Sequence, residues 1–406
     1  MDIDRIRQDF PVIANRQMAG KSLAYLDSAA TAQKPQCVID AMSTFYACNN
    51  SSINRGVYEL AEQTTIAYEQ SRQQVADFIG CADAKQIVFT SGTTESINLV
   101  AHGLAACHLK SGDEIIVSQM EHHANIVPWQ QAVEKTGAVI RVAPLTDDGQ
   151  LDVAGLEALV SPKTKLIALI HVSNVLGCVS PVQRVIDLAK SNGIATLIDG
   201  AQAVAHEPVN VAELDCDFYV FSAHKLYGPT GVGVLYAKSH WLEAMPPYQC
   251  GGDMIRRVSF EKTTFNEAPH KFEAGTPHIA GVIGFAAAIR YFQQFSWEDK
   301  LAHERDVMQY MDAGLRQFDD LVLYGPAVDA RRAVASFLLK GVHAHDVGSF
   351  LGSEGVAVRV GHHCTMPLMK YLGVAATTRA SVGIYTSRAD VDRLIEAIDK
   401  VRQFFG

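Results

Sequence analysis

Three short runs in this 406-residue chain combine residue types that could bind an anion and hold a reactive amine. In Thr90-Ser-Gly-Thr-Thr-Glu95 an apolar stretch gives way, through a glycine, to a helical pattern starting near Thr93. Free backbone N–H groups, the Thr93 and Thr94 hydroxyls and the positive end of a helix dipole would converge there, a setting suited to phosphate. Taken alone, the same run is also an ordinary capped helix start. In Ala195-Thr-Leu-Ile-Asp-Gly-Ala-Gln202 an apolar strand closes on Asp199. A carboxylate at that place is costly to desolvate unless a cationic or protonated group pairs with it; a pyridinium nitrogen, a metal ion or a structural ion pair would each serve. In Phe218-Tyr-Val-Phe-Ser-Ala-His-Lys225 a strand ends in Ser222, His224 and Lys225, ahead of the glycine-rich Leu226-Tyr-Gly-Pro-Thr-Gly231. A lysine at a buried strand end holds its proton weakly, as a Schiff-base amine must. A lone lysine would be a solvated surface charge. The order of phosphate loop, strand-end Asp and strand-end Ser-x-His-Lys describes one ligand, pyridoxal phosphate, with Lys225 as its covalent anchor.

The elements that must position these groups are visible as a repeating pattern between about residues 85 and 240. Short β-branched runs at 86–90, 114–118, 166–172, 195–199 and 218–222 alternate with polar turns and helical stretches. Consecutive apolar positions predict strands buried on both faces of a mostly parallel sheet, which collects ligands at the carboxyl ends of its strands. Gly231-Val-Gly-Val-Leu-Tyr236 lacks the third glycine and the following helix of a dinucleotide loop, and reads as a strand. From about residue 285 the pattern changes to a long helical region through Gln317, a strand at 333–339, a helix at 345–352 and an amphipathic helix from Ala389. A second, smaller α+β domain is expected there, joined by the N-terminal helix.

Bulk composition narrows the class. The chain is 48% hydrophobic and longer than one typical domain, so two domains are expected. Lys and Arg total 35 against 44 Asp and Glu, with no basic block to follow a phosphate backbone, which argues against nucleic acid. The N-terminal MDIDRIRQDFPVI has no apolar signal core and no apolar run is long enough for a bilayer, so a cytoplasmic protein is expected. The eight cysteines never approach the two-residue spacing of a zinc or redox pair.

At these residues the sequence resembles the class V aminotransferase family of fold-type I pyridoxal phosphate enzymes, and within it the SufS-type (group II) cysteine desulfurases. The resemblance runs along the whole chain. It includes Ala24-Tyr-Leu-Asp-Ser-Ala-Ala30, Gly92-Thr-Thr-Glu95, Glu121-His-His-Ala-Asn-Ile-Val-Pro-Trp129 and His171-Val-Ser-Asn174. It continues in Asp199-Gly-Ala-Gln202, Ser222-Ala-His-Lys225, Phe272-Glu-Ala-Gly-Thr276, Arg359-Val-Gly-His-His-Cys364 and Arg379-Ala-Ser381. It implies an α/β, aspartate aminotransferase-like fold. The large domain, 22–285, would hold a mostly parallel seven-stranded sheet; a smaller α+β domain, 1–21 with 286–406, would carry the Cys364 loop.

On matching positions, the resemblance implies that Lys225 holds the cofactor, Asp199 pairs its ring nitrogen, His122 stacks on the ring and Gln202 sits near its phenolic oxygen. Thr93, Thr94, Ser222 and His224 would hold the phosphate, with Thr276 reaching it from the second subunit of a homodimer. Asn174 and Arg379 would bind the substrate carboxylate, with Arg359 and Arg55 also in the substrate site; an arginine fork suits that group because it bonds both oxygens. Cys364 would attack the sulfur of L-cysteine, leaving a persulfide and releasing alanine, with His362, His363 and Arg359 favouring the thiolate. The competing readings are a buried inert cysteine and a metal site made with the two histidines; no other ligand cluster lies nearby in sequence, and no metal is expected.

The chain departs from the SufS-type pattern at Ser91 (usually Arg), Asn54 (His), Cys250 (Gly), His270 (Trp), His278 (Asn) and Thr386 (Asn). Asn54 keeps hydrogen-bonding capacity but cannot change charge near neutral pH, which puts rate or substrate range in question. The expected function is supply of persulfide sulfur for iron–sulfur cluster assembly through a SufE-like acceptor. Selenocysteine lyase and another class V lyase or aminotransferase are the alternatives.

Overall fold

The computed structural model describes residues 1–405. Its main sheet has seven strands: β1 (Ile87–Thr90), β2 (Glu114–Ser118), β3 (Val139–Ala143), β4 (Thr164–Ile170), β5 (Ala195–Asp199), β6 (Phe218–Ser222) and β7 (Gly233–Ala237). Their order is β1-β7-β6-β5-β4-β2-β3. Strand β7 runs antiparallel to both neighbours, and the other pairings are parallel. Every position of β2, β5, β6 and β7 is buried, which is why these segments are apolar without alternation. Successive side chains still serve opposite layers. Val88, Leu197, Val220 and Leu235 pack with Leu99, Leu104 and Trp129, while Ile198, Tyr219, Phe221 and Val234 pack with Val282 and Phe285.

The loops leaving β1, β2, β4, β5 and β6 all open at one edge of this sheet, so distant parts of the sequence meet there. Gly233 allows the start of β7 to abut the loop after β1, because a Cβ at this residue would collide with the Gly92 backbone.

A second, antiparallel sheet has strands β8 (Leu321–Tyr324), β9 (Val334–Leu339), β10 (Arg359–Gly361) and β11 (Thr377–Ser381), in the order β8-β9-β11-β10. Helices Trp297–Leu315, Ala344–Ser353 and Arg388–Phe405 cover it through Met311, Leu315, Leu351, Leu394 and Ile398. The single long helical region expected up to Gln317 is instead two helices, Ile279–Phe292 and Trp297–Leu315. The break falls where Ser296 caps the second helix by accepting from the Asp299 amide at 3.0 Å. The strand expected at 166–172 starts and ends two residues earlier, because the chain after Ile170 turns away to form the site.

Near the N-terminus, Phe10 packs edge-on against Tyr227, Tyr291 and Tyr385. Ala24–Tyr25 pairs in parallel with Val356–Ala357, leading residues 26–30 from the second sheet towards the strand-end loops. Among the described residues, no helix is long and apolar enough to cross a membrane.

Candidate active site

A cavity between the edge of the main sheet and the second sheet is lined by Thr93, Thr94, His122, Asn174, Asp199, Gln202, Ser222, His224, Lys225, Arg359, Cys364 and Arg379. These are twelve of the fourteen residues singled out from the sequence. The other two, Thr276 and Arg55, lie outside it: both are exposed, and Arg55 pairs with Asp253 at 3.3 Å. The larger cavity between helices Gln36–Thr44, Glu59–Phe78 and Ile279–Phe292 contains none of these groups.

At one end of the cavity the helix Thr93–Cys107 begins directly after β1. The Thr93 amide donates to Ser222 Oγ at 2.8 Å, and the two hydroxyls lie 2.7 Å apart. Glu95 reaches back to accept from the Ser91 amide at 2.6 Å, holding the turn that exposes this helix end. His224 Nδ1 lies 3.2 Å from Thr31 Oγ1; burial, Lys225 and Lys34 push its pKa down to about 4, so it is neutral. Hydroxyls and amides at a helix start form an anion cradle.

At the opposite end, Asp199 is almost wholly buried. One carboxylate oxygen accepts from the Ala201 amide at 2.9 Å; the other has no hydrogen bond among the described residues. Burial raises its pKa, with Lys225 pulling it partly back. Lys225 sits between the two ends, where burial, aided by Arg379 and Arg359, lowers its pKa to about 8 despite Asp199. His122 Nδ1 accepts from the Ala124 amide at 3.1 Å, which places the ring proton on Nε2, and burial followed by the charge of Lys225 depresses its pKa to about 3. Gln202 donates to the Ala29 carbonyl at 2.8 Å, leaving its oxygen for the cavity.

The second sheet supplies two cations. Arg359 and Arg379 are register partners on β10 and β11. Arg379 is buried and donates to the Asn174 carbonyl at 2.9 Å and to Asp27 at 3.2 Å. Desolvation brings its pKa to about 10, opposed by Asp27. Asn174 donates to the His363 carbonyl, and its own oxygen is buried without a partner. Two forked cations beside a free amide oxygen make a setting for a small zwitterion with a carboxylate.

Cys364 follows His363 in a turn where both residues have positive φ, +58° and +50°. Such left-handed conformations in residues other than glycine cost free energy and gather at functional sites. Of the two neighbouring histidines, His362 has a ring nitrogen within 4.8 Å of the Cys364 sulfur. His363 turns away, with Nε2 3.0 Å from Thr377 Oγ1, whereas His123 arrives from the loop after β2. Sequence reasoning also missed Asp27, the counter-ion of Arg379, and the buried Glu121, which accepts from Ser118, Asn125 and the Ile170 amide directly before His122. Both lie inside segments that carried the family resemblance, which was their only available signal.

The chain matches the aminotransferase class-V family over residues 24–394. It is 48% identical to a cysteine desulfurase of Pectobacterium atrosepticum over 405 residues, covering 100% of this chain and 99% of the relative. Among solved structures, the cysteine desulfurase CsdA of Escherichia coli, in an S-sulfonic acid form, aligns with a TM-score of 0.93 at 40% identity over the full length of both chains. The apo cysteine desulfurase of Thermococcus onnurineus NA1 aligns with a TM-score of 0.93 at 37% identity over 98% of each.

Proposed function

We propose that this chain, which belongs to the aminotransferase class-V family, is a pyridoxal phosphate enzyme that converts L-cysteine to L-alanine and takes the sulfur onto Cys364 as a persulfide. The observation that carries this reading is the presence of Cys364 on the wall of the same cavity as Lys225 and Asp199. The residues fit the cofactor. A buried carboxylate with a free oxygen suits a protonated ring nitrogen, a lysine of lowered proton affinity suits a covalent anchor, and the helix start suits a phosphate. Bound there, pyridoxal phosphate supplies an electron-poor ring that makes the α-proton of attached cysteine acidic.

In this reading Asp199 would keep the cofactor's ring nitrogen protonated, and His122 and Gln202 would help to hold the ring. Thr93, Thr94, Ser222 and His224 would hold the phosphate, with Thr276 of a second copy completing the set. Lys225 anchors the cofactor and, once substrate frees it, its Nζ takes the α-proton and returns it to carbon. Asn174, Arg359 and Arg379 orient the substrate carboxylate, and Arg55 would reach it only from a second copy. The Cys364 thiolate forms a bond to the substrate sulfur while the bond from that sulfur to Cβ breaks. The electron pair stays with carbon, which is protonated on the way to alanine, and the persulfide remains on Cys364.

The full-length likeness to cysteine desulfurases supports this chemistry. The finer assignments belong to the same proposal: a SufS-type enzyme, homodimeric and cytoplasmic, with a large domain of 22–285 and a smaller one of 1–21 and 286–406. It would pass sulfur to a SufE-like acceptor for iron–sulfur cluster assembly. Exposed Val57 and Phe260, with Thr276 and Arg55 outside this chain's own cavity, support the second copy. The test compares cysteine and selenocysteine turnover in wild type and Cys364→Ala. Loss of the cysteine reaction alone supports the assignment; cysteine turnover that survives the substitution sinks it.

A further inference from the structure

Cys364 stands beside two imidazoles from separate parts of the chain. Possible ligand atoms of His123, His362 and Cys364 all lie within 4.8 Å of one another. Backbone bonds hold the three in place. The His123 amide donates to the Cys364 carbonyl at 2.7 Å, the Met366 amide to His123 Nε2 at 2.9 Å, and the Cys364 amide to His362 Nδ1 at 3.0 Å. His362 is exposed and the other two are half-buried, so an ion could reach the group from solvent.

One thiolate and two imidazoles select borderline metals such as zinc or cobalt over magnesium or calcium, which prefer oxygen. Bond lengths of about 2.3 Å to sulfur and 2.0–2.1 Å to nitrogen bring tetrahedral donors to roughly 3.3–3.7 Å apart, so the cluster must contract by about 1 Å. The exposed His362 side chain has room to move. The amides that bond His362 Nδ1 and His123 Nε2 place each ring proton on the other nitrogen. Binding must therefore shift those protons or give up the amide bonds, and Cys364 releases its own proton to water. A three-ligand site with these costs, and water in the fourth position, exchanges its ion instead of acting as a permanent structural zinc.

We propose that His123, His362 and Cys364 form an exchangeable site for a borderline divalent cation, zinc foremost, and that its occupation withdraws the Cys364 sulfur from reaction. Binding depends only on the three side chains. The consequence for turnover rests on Cys364 being the nucleophile.

Cobalt(II) added to the cofactor-loaded protein is the probe, because tetrahedral thiolate–imidazole cobalt has ligand-field bands towards the red, away from the yellow of the cofactor. One equivalent per chain should produce these bands, and zinc should displace them. Zinc should also halt desulfuration until a chelator restores it. Cys364→Ala, His362→Ala and His123→Ala should each weaken cobalt binding about tenfold or more, while retained yellow colour shows that the fold and cofactor site survive. Absence of saturable bands in wild type, or bands unchanged in the three variants, overturns the site. If Cys364→Ala loses the bands yet still desulfurates cysteine, the metal site stands and the nucleophile assignment fails; the reverse pattern fails the metal site alone.

Discussion

The Asn174 side-chain amide donates to the backbone carbonyl of His363 at 2.8 Å, joining the loop after β4 to the turn that carries Cys364. One residue thus offers its free oxygen to the cavity and its nitrogen to the cysteine loop. Asn174→Ala should lower kcat/KM for cysteine about tenfold, in line with the roughly 1–2 kcal/mol of a hydrogen bond to a buried group. Both parameters should move: KM rises as the carboxylate loses a contact, and kcat falls as the turn loosens. Steady-state alanine formation separates the two, and an unchanged kcat would confine Asn174 to substrate binding.

Arg359 and Arg379 face each other across β10 and β11. Like charges opposite one another in a sheet are unfavourable; Asp27 offsets Arg379, and a substrate carboxylate held by both arginines would offset the pair further. Arg359→Met should leave the thermal stability of the cofactor-free protein unchanged or slightly raised, while raising KM for cysteine at least about tenfold. Thermal unfolding beside substrate titration checks both halves; a large loss of stability with KM unchanged would make Arg359 structural.

Lys225 ties stability to pH. Its pKa falls from 10.5 to about 8 in the folded, cofactor-free chain. The folded state therefore holds fewer protons than the unfolded state between those values, and stability rises with pH across that window. Below pH 8 the buried charge costs its full amount, roughly 3 kcal/mol. Lys225→Met removes the cost, so the cofactor-free variant should be the more stable protein at pH 7, and its advantage should shrink as pH rises from about 8 to 10.5. Urea unfolding at several pH values measures this, and a pH-independent difference would contradict the burial of a charged amine.

How much of this was legible beforehand depends on sequence distance. Asp199 and Lys225 could be read because each ends a strand whose apolar run is uninterrupted, and parallel strands deliver their ends to one edge. The partners of Cys364 could not. Asn174 meets His363 across 189 positions, His123 meets Met366 across 243, and Asp27 meets Arg379 across 352. No local period encodes such contacts. The cysteine loop is also too short and too strained to carry a helix or strand signature, as its two positive φ angles show. The break at 293–296 was hidden because Phe292, Phe295 and Trp297 keep the segment apolar through the interruption.

Arg72 is buried against Glu273 at 2.5 Å, and Glu273 also accepts from the Phe89 amide at 2.7 Å. This pair fixes the segment that ends in Thr276. Arg72→Met leaves a buried carboxylate without its cation and should cost about 3–5 kcal/mol of unfolding free energy. Arg72→Met paired with Glu273→Gln should recover part of it. A double-mutant cycle in urea reports the coupling, and additive losses would mean that the two side chains act separately.

The sulfur of L-cysteine should end on Cys364. Intact-protein and peptide mass spectrometry after brief exposure to L-cysteine, without reductant, tests it most directly. The expected result is a gain of one sulfur atom on the Cys364 peptide in wild type, absent from Lys225→Ala and Cys364→Ala. Alanine formation with the extra sulfur on another cysteine, or on none, would contradict the account.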